Sequence, residues 1–274
     1  MKLMLQRQHY LAFLTLGFLV GIVAQASPGA GACLALTALC IVTWEAALRV
    51  RAESVKHHRQ TCHQIEQTYH QIEALHQIFS IIHISKPIPK MRGWAASPDV
   101  ICILLKQIMS RARPNVFEFG CGTSTILLGL ALKKSGGHLT AVEHNTTYAH
   151  QVRKALNEHE LNDICTIIDA PLTEMTIGAT SFFFYDCIET LSTLNRNYDL
   201  VFIDGPPGIT QADARYPALP VMAQHLANGA TVVLDDAARH DEQEIIHAWR
   251  KAFPELDFTY VETEKGAAIF QRMV

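Results

Sequence analysis

The sequence predicts an α/β fold, a mainly parallel sheet with helices on both faces, preceded by a transmembrane helical hairpin and a linker helix. Three observations carry this. From about residue 115 onward, short apolar runs of strand character alternate with helical patterns. The first of those strands ends in the glycine turn Glu118-Phe119-Gly120-Cys121-Gly122. From Tyr10 to Trp44, 35 positions, there is no charged residue at all. The predicted layout is a membrane hairpin over 1–50, a helical linker over 51–85 and an α/β domain over 86–274.

Within the uncharged stretch, one apolar run spans about 10–25 and a second about 31–48, with Ser27-Pro28-Gly29 between them as a turn. A single span needs about 20 apolar residues, and two short ones joined by a tight turn fit a hairpin. Lys2 and Arg7 precede the pair; Arg49, Arg51, Lys56 and Arg59 follow it. The positive-inside rule then puts both ends in the cytoplasm. A cleaved signal peptide is the rival reading, with Ala24-Gln25-Ala26 as its cleavage site. The second run and its basic flank would then still hold the rest of the chain inside. A buried apolar hairpin in a soluble protein is a third reading.

Residues 51–85 read as a polar, histidine-rich helix. Ile65, Ile72, Leu75, Phe79 and Ile82 recur at spacings of seven, three, four and three, a heptad-like seam. Such a seam either pairs with a second copy in a homodimer or packs on the domain that follows. Lys86-Pro87-Ile88-Pro89-Lys90 ends the helix.

The domain then unfolds strand by strand. Residues 116–119 lead into the glycine turn, and Leu139–Val142 ends in Glu143, 21 residues after Gly122. Cys165–Ile168 ends in Asp169-Ala170, Tyr198–Ile203 in Asp204, and Thr231–Leu234 in Asp235-Asp236. Helical patterns fall at about 123–134, 146–160, 212–227 and 241–253, and the runs 258–261 and 267–270 close the chain as a hairpin. Parallel sheets bind ligands beyond the carboxyl ends of their strands, and the acidic residues recur there. Gly120 and Gly122 allow a tight turn and close approach to a ligand, and the next helix offers free N–H donors. A dinucleotide fingerprint would need a third glycine where Thr125 stands, and Gly-Lys-Ser/Thr of a phosphate loop is missing.

Glu-x-Gly-x-Gly followed by Thr-Ser resembles motif I of class I S-adenosylmethionine-dependent methyltransferases. So do Val-Glu-His at 142–144, Phe-Ile-Asp-Gly-Pro-Pro-Gly at 202–208 and Leu-Asp-Asp at 234–236. The resemblance covers roughly residues 86–274. It implies a Rossmann-like seven-stranded methyltransferase sheet with the last strand antiparallel, and S-adenosylmethionine as cofactor. By it, Glu118, Gly120, Gly122 and Glu143 would hold the cofactor, Glu143 through ribose hydroxyls. Ser124 stands where many members have a third glycine and could face the methionine carboxylate. Asp169 and Ala170 mark the corner near the adenine. The order of Phe-Tyr-Asp at 184–186, the Gly-Pro-Pro-Gly loop and Arg-Tyr-Pro at 215–217 also looks like bacterial methyltransferases of unassigned acceptor, which makes the membrane a bacterial inner membrane.

Asp204, Asp235 and Asp236 fall at neighbouring strand ends. Like charges that close need a proton or a cation between them, and carboxylates suit a hard divalent ion such as Mg²⁺. The arrangement is similar to that of catechol-type O-methyltransferases, which implies a metal on these three residues that activates a substrate hydroxyl. Those enzymes carry Asn where Asp236 stands. An aspartate acting as general base without metal, Asp204 first and Asp235 beside it, is a rival reading, as are carboxylates that cap the following helices. His240 and Arg239 are further candidates for a base or an anion contact, and Arg215 and Tyr216 for orienting a substrate.

A net charge of −3 and a pI near 6.5 give no basic field, which argues against nucleic acid as partner. Seven scattered cysteines without a Cys-x-x-Cys pair read as a reduced, cytoplasmic set. The function expected is O-methylation of a small-molecule, glycan or lipid-linked acceptor at the membrane. A nicotinamide-dependent oxidoreductase and a catalytically silent membrane scaffold are the alternatives.

Overall fold

The structure is a computed structural model that describes residues 18, 20–91 and 93–273 of the chain. Lys2, Arg7 and most of the first apolar run lie outside the described residues. The chain divides into two compact units, one ending at Glu66 and one running from Gln67 to Val274.

In the first unit, residues 20–26 are helical, and a second helix starts just after Ser27. This helix, α1, runs Pro28–Ile81 without a break. The second apolar run and the linker therefore fall in one helix rather than two segments. The composition explains it: neither Gly nor Pro occurs between Ala32 and Lys86. Leu36, Ile41, Trp44 and Leu48 are exposed along it. Among the described residues, it is the one helix long and apolar enough to cross a membrane.

The second unit is built on a seven-stranded sheet. Its strands are β1 (Asn115–Phe119), β2 (His138–Glu143), β3 (Cys165–Asp169), β6 (Tyr198–Ile203), β7 (Leu226–Leu234), β8 (Leu256–Val261) and β9 (Ala267–Arg272). Their spatial order is β3-β2-β1-β6-β7-β9-β8. The first five are parallel, and β9 is antiparallel to both β7 and β8. The chain winds outward from β1 to β3 and then returns to the other side of β1 as β6. That reversal opens a crevice above the carboxyl ends of β1 and β6.

Alternation along each strand fills two cores. Val116, Leu139 and Leu200 pack on one face with α2 (Pro98–Met109), α3 (Thr123–Ser135) and α4 (Thr146–Glu158). Phe117, Phe119 and Val201 pack on the other with Trp249 of α7 (His240–Ala252). Ala74, Ile78 and Ile82 join the first core, with Leu75 packed against it, whereas Ile65, Ile72 and Phe79 are exposed. The expected seam is thus split between two faces.

Two elements differ from the sequence reading. Residues 172–185 form an antiparallel pair, β4 (Leu172–Ile177) and β5 (Thr180–Tyr185), as a separate small sheet; α5 (Ile188–Leu194) follows. The helix expected over 212–227 shrinks to α6 (Ala218–Met222) and one 3₁₀ turn, Ala223–His225. Pro217 explains the late start, because a proline disfavours helical geometry in the residue before it.

Candidate active site

The glycine turn after β1 is fixed from below. Glu118 is fully buried and accepts hydrogen bonds from Ser124 Oγ and from Thr125 Oγ1, the latter at 2.7 Å. Thr125 Oγ1 also accepts the N–H of Gly122 at 2.8 Å. Gly120 sits at φ +90°, a conformation that side chains strain. A Cβ on Gly122 would come within 3.1 Å of the Tyr148 hydroxyl. The turn therefore presents bare backbone to the crevice.

Glu143 closes the turn from the side. Its Oε2 accepts the Cys121 N–H at 3.2 Å, and its Oε1 accepts the Asn145 N–H at 2.8 Å. His144 Nδ1 lies 3.0 Å from the same Oε1.

A cavity of about 430 Å³ opens over these groups. Gly120, Gly122, Ser124, Glu143, Asp204 and Asp236 line it. The geometry leaves other sequence-predicted residues outside. Glu118 lies beneath the turn and supports it, with both oxygens spent on Ser124 and Thr125. Ser124 reaches the cavity, but its hydroxyl is turned to Glu118. Asp169 is exposed and paired with Arg153 at 3.0 Å, and Ala170 is fully buried; neither lines the cavity. His240 is exposed, lies 3.7 Å from Asp241 and does not line the cavity. As the first residue of α7 it projects outward.

The acidic trio does come together. Ile203 and Leu234 are paired across β6 and β7, so Asp204 and Asp235 follow side by side. Carboxylate oxygens of Asp204, Asp235 and Asp236 lie within 4.8 Å of one another. Arg215 is buried among them. It donates to Asp204 Oδ1 at 3.3 Å, to Asp236 Oδ2 at 2.9 Å and to the Asp235 carbonyl at 3.0 Å. Arg239 adds a 2.9 Å contact to Asp236 Oδ2, Lys265 Nζ lies 3.9 Å from Asp236 Oδ1, and the buried Glu242 lies 3.8 Å from both arginines.

Counting Asp204, Asp235, Asp236 and Glu242 against Arg215, Arg239 and Lys265 leaves one carboxylate in excess. Asp235 is the residue without a counter-group, fully buried with neither oxygen hydrogen-bonded. Burial, then repulsion from Asp236, pushes its pKa up to about 6. Burial and the Asp235 charge push Asp204 well above the carboxylate range, against the pull of Arg215. Such a cluster invites a proton or a cation.

Residues 117–237 match a family model described as a methyltransferase domain. That stretch of the chain is a methyltransferase domain.

Its fold is similar to that of solved structures. An O-methyltransferase from Bacillus cereus in complex with SAH is 16% identical, with a TM-score of 0.51, over 74% of this chain and 90% of that one. TomG from Streptomyces achromogenes, an O-methyltransferase involved in tomaymycin synthesis and bound to SAM, is 16% identical at a TM-score of 0.50, over 66% and 82%. The SAH-bound methyltransferase PaMTH1 from Podospora anserina is 13% identical at 0.50, over 66% and 80%. No curated protein matches the chain.

Lys90, Asn145 and Tyr148 line the cavity and escaped the sequence reading; Tyr185, from an aromatic stretch that the sequence offers as a pocket wall or a cover for the sheet edge, lines it too. Tyr185 ends β5, a strand the sequence reading missed, and its hydroxyl occupies the space a Cβ on Gly205 would need. Asn145 had a readable signal. It precedes Thr146-Thr147 at a helix start, and its side chain caps α4 by accepting the Tyr148 N–H at 3.0 Å.

Proposed function

We propose that this domain moves the methyl group of S-adenosylmethionine to an oxygen of a small-molecule, glycan or lipid-linked acceptor, and that it works at the inner face of a bacterial membrane. The observation that carries the reading is the juxtaposition, in one cavity, of the bare glycine turn and Glu143 with Asp204 and Asp236, two members of a crowded carboxylate cluster whose third, Asp235, is buried behind them. The glycine cradle fits the cofactor: Gly120 and Gly122 leave room that side chains would fill, and Glu143 keeps acceptor capacity for two hydroxyls. The bound cofactor supplies an electrophilic methyl group for in-line displacement.

This chain's residues then have two tasks. The turn and Glu143 set the direction of approach, since alignment lowers the barrier to displacement. Asp204, with its raised pKa and its place on the cavity wall, takes the acceptor proton. The trio also fits a divalent cation, because the unpartnered oxygens Asp235 Oδ1, Asp235 Oδ2 and Asp236 Oδ1 belong to the same cluster. Asp204, Asp235 and Asp236 would hold it, and it would supply a lowered pKa at the acceptor hydroxyl.

The membrane reading, two spans with both ends inside, rests on α1 and on the break at Ser27. A Cβ on Gly31 would come within 2.6 Å of Ala24 Cα, whereas seven residues of straight helix span about 10 Å. The chain bends there, which supports the hairpin reading. The basic residues Arg49, Arg51, Lys56 and Arg59 after it mark the cytoplasmic end.

Calorimetric titration of the detergent-solubilised protein with S-adenosylmethionine and with NADH, each with and without Mg²⁺, tests the reading. Micromolar binding of S-adenosylmethionine is expected, with loss in Glu143→Ala and retention in Asp204→Asn. In a methyl-transfer assay over a panel of hydroxyl acceptors, Asp204→Asn should lower kcat about 100-fold or more. Selective binding of NADH would reject the proposal.

A further inference from the structure

One face of α1 is packed on its own domain and another is bare among the described residues. Ala74 and Ile78 are buried in the domain core, whereas Ile65, Tyr69, Ile72 and Phe79 are 51, 64, 56 and 57% exposed. The exposed four are spaced by four, three and seven residues, the rhythm of alternate a and d positions in a heptad. Carried toward the N-terminus, the same register falls on Cys62, His58, Val55, Arg51, Leu48 and Trp44. Val55, Leu48 and Trp44 are again exposed. Lipid contact accounts for Trp44 and Leu48. It does not account for the apolar positions from Val55 to Phe79, which lie beyond the basic residues Arg49 and Arg51. Single exposed apolar residues need no explanation, but a row held in register over three heptads does.

We infer that this row is the contact surface for the same helix of a second copy, paired in parallel and in register. The parallel sense rests on the membrane reading above, since two copies anchored in one bilayer present their helices in the same direction. From Trp44 to Phe79 the strip is about 53 Å long and about 12 Å wide, or roughly 600 Å² on each copy. Freely diffusing partners use about 800 Å² each. Confinement to one membrane offsets the difference by raising the effective concentration. The flanks agree: in-register pairing sets Thr61 and Thr68 beside Glu66 and Glu73 of the second copy, with no like-charge pair between flanks; the one like-charge contact in the row is Arg51 against its own counterpart, at the membrane end where both side chains reach water or lipid headgroups. His58 and His76 fill a d and an a position, and polar residues there fix the alignment at some cost in stability.

Cys62 lies in the row and is exposed, and the other exposed cysteines are Cys33 and Cys40. Full-length protein with Cys33→Ser and Cys40→Ser, reconstituted in liposomes and treated with a mild oxidant, should form a disulfide dimer through Cys62. Moving the thiol one heptad along the row (Cys62→Ser with Tyr69→Cys) should also give a dimer. Moving it to the outer face (Cys62→Ser with Gln60→Cys) should not. Ile65→Glu with Ile72→Glu should cut the Cys62 dimer at least tenfold while leaving cofactor binding unchanged. Equal cross-linking from position 60 would mean random collision and overturn the proposal. Cross-linking at only one of positions 62 and 69 would mean antiparallel helices and overturn it too, as would no dimer at either. Liposome flotation separates the two readings: protein that cross-links at both positions in detergent but does not float keeps the pairing and loses the membrane.

Discussion

Glu118 is an acid held in the fold mainly as a support. Burial raises its pKa from 4.5 to about 7, against the pull of the Ser124 and Thr125 hydroxyls. Between those pH values the folded chain binds more protons than the unfolded one, so stability falls as pH rises from about 4.5 to 7. The full shift is worth on the order of 3 kcal/mol. Glu118→Gln removes the titration and keeps one acceptor for the hydroxyls. Its melting temperature should vary less between pH 5 and 8 than that of the wild type; parallel curves would reject this account. Arg215 poses the opposite case, a buried cation that three acids require. Arg215→Met strands Asp204 and leaves Asp236 and Glu242 to Arg239 alone or with the more distant Lys265, and should cost about 3–5 kcal/mol in urea unfolding. Adding Asp236→Asn should recover part of that loss. The sequence showed the glycine spacing and the acids at strand ends, but not the direction in which each acid turns. Glu118 and Asp169 obey the same pattern as Glu143 and Asp204, yet one points under the turn and the other to the surface. In the sequence Arg215 reads as a candidate substrate contact, because only loop closure reveals that it faces three carboxylates.

Between elements, α3 meets β3 at a glycine. A Cβ on Gly129 would lie 2.5 Å from Cys165 Sγ and 3.1 Å from Leu161 Cδ1. Alanine there gains up to about 1 kcal/mol of helix propensity, but overpacking at a buried contact costs about 1–3 kcal/mol. The clash should win, so Gly129→Ala is expected to destabilise by about 1–2 kcal/mol in denaturant unfolding. Cys165→Ala, added to it, should recover most of that loss, and a strictly additive pair would show that the two residues do not meet. The sheet strands and the three long helices of the domain were readable because their apolar periods are regular. The β4–β5 pair was not, although it carried a signal. Gly178-Ala179 is a two-residue loop with Gly178 at φ +62°, the kind that joins hairpin strands. The aromatic run 182–185 masked it, because Phe182 and Phe184 are buried and Phe183 is exposed, an alternation of only four residues.

For the whole molecule, the question of scale is where the long helix ends and the domain begins. Lys86-Pro87 reads as the border, because proline ends the helix. The compact unit instead begins at Gln67, inside α1. The physical reason is packing that the local signals do not carry. Ile78 is fully buried and Ile82 nearly so, Gln71 Nε2 donates to Asp99 Oδ2 at 2.8 Å, and Cys102 Sγ donates to the Ala74 carbonyl at 3.1 Å. Burying two isoleucines contributes about 3–6 kcal/mol, as much as the whole net stability of many domains. The last turns of α1 are therefore part of the domain's core. A fragment of residues 67–274 should fold, stay soluble and bind S-adenosylmethionine as tightly as the full chain does in detergent. A fragment of residues 86–274, cut at the proline border, should uncover Ile101, Cys102 and Leu105 of α2 and either aggregate or melt at least 10 °C lower. Equal melting temperatures for the two fragments would show that the helix only rests on the domain, and the border would return to Lys86.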